Sequence, residues 1–85
     1  MKVKDLLSDK SKWCQNASSK NNGQLTSYCL MFAIFKAYDI KEAKVIIDKA
    51  EKYITEKYGQ CNGVTIFNDT HTYEQVIKLV NDLGI

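Results

Sequence analysis

The stretch Tyr28–Tyr38, reading Tyr-Cys-Leu-Met-Phe-Ala-Ile-Phe-Lys-Ala-Tyr, constrains this chain more than any other. It carries a single charged side chain, Lys36. Apolar residues fall on every side of a helix drawn through it, the pattern of a segment surrounded by protein or by lipid. As a helix it rises only about 16 Å, well short of a bilayer's hydrocarbon core of about 30 Å. The expectation is a central buried helix over about 26–38, capped by Thr26 or Ser27, with no membrane partner.

The flanking segments supply what would pack on it. Val3, Leu6, Leu7, Lys10 and Trp13 follow helical spacing, which predicts a first helix over 3–13. Asp39 with Glu42 forms a capping-box pattern ahead of a stripe of Ala43, Ile46, Ile47, Ala50, Tyr53, Ile54 and Tyr58, and Gly59 ends it. Thr72 with Gln75 opens a last helix whose Val76, Ile77, Val80 and Leu83 face inward, and Gly84 stops it. Residues 14–25 and 59–71 read as irregular, with Val64–Phe67 at most a short extended piece. The expected fold is all-α: one domain over 1–85, four helices around the hydrophobic one.

Charge and cysteine content narrow the function. The formal net charge is only +2, and all of the basic residues are Lys. Without Arg the chain lacks the usual bidentate reader of guanine and phosphate, so nucleic acid is an unfavoured partner. Residues 1–36 hold six Lys against Asp5 and Asp9, so the N-terminal half is the more basic one and keeps weak nucleic-acid binding as a second alternative. Three cysteines cannot pair completely, and no secretory signal is visible, which together point to the cytoplasm.

Three short motifs carry a resemblance. Trp13-Cys14-Gln15 follows the first helix, Cys29-Leu30 and Ala33 lie in the central one, and Phe67-Asn68-Asp69 precedes Thr72 and Val76. The chain resembles a family of small bacterial and phage proteins of unknown function, with Trp-Cys-Gln, Cys-Leu-x-x-Ala and (Trp/Phe)-Asn-Asp…Thr-x-x-x-Val motifs. The resemblance spans nearly the whole chain and departs from the pattern at Lys12, Phe32 and Phe67. It implies a helical fold and an origin in phage or other mobile DNA, and it brings no activity.

Candidate sites follow from residue types. Cys29 with His71 and Asp69 (or Asn68) matches the composition of a cysteine hydrolase or transferase, in which a thiol near a helix start is activated by a base. The large apolar neighbours of Cys29 argue instead for a buried core thiol. Cys14, Cys29, Cys61 and His71 would supply a zinc site by count, but their spacing lacks any Cys-x-x-Cys pair, so no metal and no cofactor is expected. The expectation is a non-enzymatic protein-interaction module, a phage or mobile-element accessory protein that binds and blocks a host factor, for example an anti-CRISPR. The alternative is a cysteine-dependent enzyme using Cys29 and His71. The segment 60–71 is the expected partner surface, with Asn62, Phe67, Asn68 and His71 as its contacts.

Overall fold

The computed structural model describes residues 2–22, 25–60 and 62–85. Among these residues, five α-helices, a 3-10 turn and one β-hairpin follow in the order α1 (Val3–Leu6), the turn Lys10–Lys12, β1 (Ser19–Asn22), β2 (Leu25–Tyr28), α2 (Leu30–Ala37), α3 (Ile40–Tyr58), α4 (Val64–Thr70) and α5 (Tyr73–Leu83). The fold is mostly helical but not all-α.

The two long helices begin and end where their caps dictate. Asp39 accepts the Glu42 amide at 2.9 Å to open α3, and Gly59, at φ +84°, closes it in a left-handed conformation that costs glycine little. Ala43, Ile46, Ala50 and Ile54 are its buried stripe. Thr72 and Gln75 form a reciprocal capping box at α5, which buries Val76, Leu79 and Val80.

The expected first helix stops early. Asp9 takes the Ser11 amide and hydroxyl on its carboxylate, which sets up the 3-10 turn and ends the helical run. Val3 and Leu7 are fully buried all the same.

The hairpin replaces what read as loop and helix start. Its strands pair antiparallel, Ser19 with Tyr28 through Asn22 with Leu25. Thr26 and Ser27 are therefore strand residues, not caps. The Thr26 hydroxyl donates across the ladder to its paired residue, Asn21, at 2.9 Å. Helix α2 starts at Leu30, and Cys29 is its N-cap.

Helix α2 does sit in the core, but on one side only. Leu30, Ala33 and Ile34 are fully buried and Ala37 partly, the i, i+3, i+4, i+7 stripe of an amphipathic helix. Phe32 and Phe35 point outward. The segment 64–70, expected to be irregular, is helical because Val64, Phe67 and Asn68 fill an inward face between α2 and α3. Packing overrides the poor helix propensity of Val64-Thr65-Ile66.

Both ends of the chain close onto the same core. The Val3 amide donates to the Ile85 carbonyl at 2.7 Å, and the Tyr38 hydroxyl donates to the same oxygen at 3.0 Å. Among the described residues no helix is long and apolar enough to cross a membrane.

Candidate functional site

The centre of the molecule's polar chemistry is Asn68, which is completely buried. Its Oδ1 accepts from the Trp13 indole Nε1 at 2.6 Å and from the Leu30 amide at 3.0 Å. Its Nδ2 donates to the Cys14 carbonyl and to Asp69 Oδ1, each at 3.0 Å. An asparagine amide offers two acceptor sites and two donors, and all are used. Two donors on one side and two acceptors on the other also fix which amide atom is oxygen.

The surrounding bonds tighten this hub. Gln15 Nε2 donates to the carbonyls of Asn68 and His71 at 3.1 and 2.9 Å. The Asn16 amide donates to Asp69 Oδ1 at 2.8 Å, and Asn16 itself takes φ +62°, which a short polar residue tolerates. Trp13-Cys14-Gln15 and Asn68-Asp69, remote in sequence, are thus one structural unit. Leu30 N–H is one of the amides that a helix start leaves without an internal partner. The Asn68 side chain supplies that partner from another helix, while Cys29 Sγ accepts the Phe32 amide at 3.4 Å.

The enzyme-like residues do not assemble. Cys29 and Asp69 line one cleft of about 530 Å³ with Asn16, Ala17, Ser18 and Phe35, and His71 lies outside it. Asp69 directs Oδ1 into the hub, not to His71. His71 Nδ1 lies 2.9 Å from the Phe67 carbonyl, and a carbonyl only accepts, so Nδ1 carries the hydrogen. The His71 ring stacks on Phe67 at 4.2 Å and meets Tyr58 edge-on. Burial pushes the Cys29 thiol above its ordinary pKa; the Phe32 amide opposes this, and the nearby Cys14 and Asp69 add to it. That is the reverse of an activated nucleophile. Among the described residues no group of three or more His, Cys, Asp or Glu is placed to hold a metal; Cys61 lies outside them.

The residues expected at a partner surface separate into two sets. Asn62 is exposed and His71 half-buried. Phe67 and Asn68 are 3% and 0% exposed and have no surface to offer, because α4 turns both toward the core. The outward face lies nearby. Phe32 and Phe35 on α2 are 39% and 45% exposed, and Ile66 on the adjoining α4 is 47% exposed. Phe32 and Phe35 line the same cleft as Cys29, opposite Thr65. Tyr28 stacks on Phe32 at 5.4 Å with planes 6° apart, and Lys36 Nζ lies 5.9 Å from the Tyr28 ring centre. The sequence signal for this face is the stretch Tyr28–Tyr38. Its apolar residues exceed what one buried stripe can use.

No family model, no curated protein and no solved structure matches this chain.

Proposed function

We propose that this protein is a small non-enzymatic interaction module that binds a protein partner through the outward face of α2 and the neighbouring ridge of α4. The observation that carries this reading is the exposure of Phe32 and Phe35 side by side along an open cleft whose α4 wall is Thr65 and Asp69. Exposed aromatics grouped around a cleft are the composition of an interface centre, where aromatic residues are enriched and charges depleted. The face qualifies on charge as well: among the cleft's lining residues only Asp69 is ionisable as a carboxylate, and its Oδ1 is held in the hub. The hub beneath gives the rigid support that a binding surface needs.

The resemblance to phage-borne proteins supports a partner in the host cytoplasm, and a chain of this size suits a blocker of a host defence factor such as a CRISPR effector. That step rests on analogy. The test is Phe35→Lys in the full chain. Phe35 is outside the buried core, so the variant keeps its melting temperature within a few degrees. Capture from host lysate, followed by titration of the captured protein, then shows an affinity loss of about tenfold or more. Unchanged affinity in the folded variant rejects this face.

A further inference from the structure

Two of the three cysteines each follow a residue of the bridge at the base of the hairpin. Trp13 and Tyr28 form an isolated parallel bridge, and the Cys14 amide donates to the Tyr28 carbonyl at 3.1 Å. Cys14 and Cys29 are the next residues in that parallel register. Neighbouring strands run about 5 Å apart, so their Cα atoms fall inside the window of roughly 4.4–6.8 Å that a disulfide spans. Side chains alternate along an extended chain, so residues 14 and 29 share the face opposite Trp13 and Tyr28. The Cys14 thiol and the Cys29 backbone both bond to the loop between them, while Cys29 Sγ accepts the Phe32 amide at 3.4 Å. Cys14 Sγ donates to the Ala17 carbonyl at 3.5 Å, and the Cys29 amide donates to the Ser18 carbonyl at 3.0 Å.

Both cysteines are free and buried, at 6% and 4% exposure. Neither is sealed in. Cys29 lines the α2–α4 cleft, and Cys14 lines a second cleft of about 560 Å³ with Trp13, Gln15 and Lys20. Asn16 borders both clefts, so the two openings that flank the pair adjoin one another. The two sulfurs also feel one another: a charge on Cys14 raises the pKa of Cys29, behind the larger effect of burial.

We propose that Cys14 and Cys29 are a redox pair that a hydroperoxide converts to an intramolecular disulfide. Cys29 loses its proton and its sulfur attacks a peroxide oxygen. The O–O bond breaks, leaving a sulfenic acid and one water when hydrogen peroxide is the oxidant. The Cys14 sulfur then attacks the sulfenic sulfur, the S–O bond breaks, and a second water leaves. Two thiols and one peroxide become one disulfide and two waters. The disulfide ties the hairpin base to the start of α2 and changes one wall of the α2–α4 cleft. A thiol raised by burial makes the first step slow, which suits a response to sustained oxidant rather than a catalytic peroxidase.

The experiment uses the full chain carrying Cys61→Ser, so that only this pair can react. The protein is treated with hydrogen peroxide, denatured in N-ethylmaleimide and weighed intact. The expected product is a monomer lighter by two hydrogens that takes up no maleimide, returned to two adducts by dithiothreitol. Its melting temperature rises by roughly 12–24 °C, since the bond closes a loop of about 15 residues in the unfolded chain. With Cys14→Ser added, peroxide instead leaves a sulfenic acid at Cys29 that dimedone traps. Two maleimide adducts after peroxide overturn the proposal, as does a disulfide-linked dimer. So does a bonded monomer that melts lower, because the bond would then join positions that the fold holds apart.

Discussion

Replacing Asn68 by Ala removes all four bonds of its side chain at once and leaves three backbone or indole groups to find other partners. These are the Leu30 amide, the Trp13 Nε1–H and the Cys14 carbonyl. Asp69 is less affected, because it retains the Asn16 amide. An unsatisfied buried polar group costs about 1–3 kcal/mol. Trp13 and Cys14 line a cleft from which water can enter, so their share falls at the low end. The Leu30 amide is buried with its helix and takes the high end. The sum is about 5 kcal/mol, comparable with the lower end of the whole stability of a domain this size at about 0.05–0.15 kcal/mol per residue. Urea unfolding followed by far-UV circular dichroism measures it, and the fluorescence of the lone Trp13 gives a second probe at the hub itself.

Asn68→Asp sharpens the reasoning. The shape is kept and Oδ1 still accepts from Trp13 and Leu30. The donor, however, becomes an oxygen facing the Cys14 carbonyl and the Asp69 carboxylate. Burial and a like charge both raise the introduced carboxyl's pKa in the fold. A raised folded pKa favours the native state below the unfolded pKa, and that advantage is lost as pH rises through the folded one. The variant is therefore close to Asn68→Ala at neutral pH and recovers relative to it in acid. A cost below about 1 kcal/mol for Asn68→Ala, or no acid recovery for Asn68→Asp, refutes the account of the hub.

Two further outcomes check other parts of the structure. Thr72→Ala destabilises by about 1 kcal/mol through loss of the α5 cap, and Thr72→Ser by a few tenths, both read from urea midpoints. The Tyr53 hydroxyl donates to Asp82 Oδ2 at 2.6 Å; burial and that bond push the Tyr53 pKa up to about 12, while Tyr53 holds Asp82 below its ordinary value. Stability from Tyr53 is thus complete below its unfolded pKa of about 10 and lost through about 12, and that from Asp82 is lost as pH falls through its lowered pKa. Burial raises Tyr73 as well, so ultraviolet titration should show late tyrosines of which only Tyr53 moves earlier in Asp82→Asn; an unchanged curve breaks the pairing.

How much of this was legible depended on whether the signal was local. Helices α3 and α5 were readable from Asp39, Gly59, Thr72, Gln75 and Gly84, because a cap and its helix lie within a few residues. The hairpin was not, because its strands are polar and show no apolar alternation; Asn22-Gly23 was the one hairpin signal present. Helix α4 was hidden by β-branched residues, and only its burial against α2 and α3 makes it helical. The Trp13 and Asn68 motifs were each visible as motifs. Their union was not, since Asn68 before a helix reads as a turn residue until its partners 55 and 38 positions away are known. The face of Phe32 and Phe35 was misread for a related reason: apolar content indicates burial, but which side is buried depends on neighbours.

The bond from Leu30 to Asn68 gives one amide an unusual meaning. First-turn amides of a helix ordinarily exchange with solvent hydrogen as that turn frays. The Leu30 amide is held by a side chain on α4, so it is freed only when α4 moves away from α2 or the Asn68 side chain leaves its place. Its exchange rate is a gauge of contact between two helices rather than of order within one. Any ligand or bond that loosens α2 from α4 is readable at that single hydrogen, even if both helices stay intact.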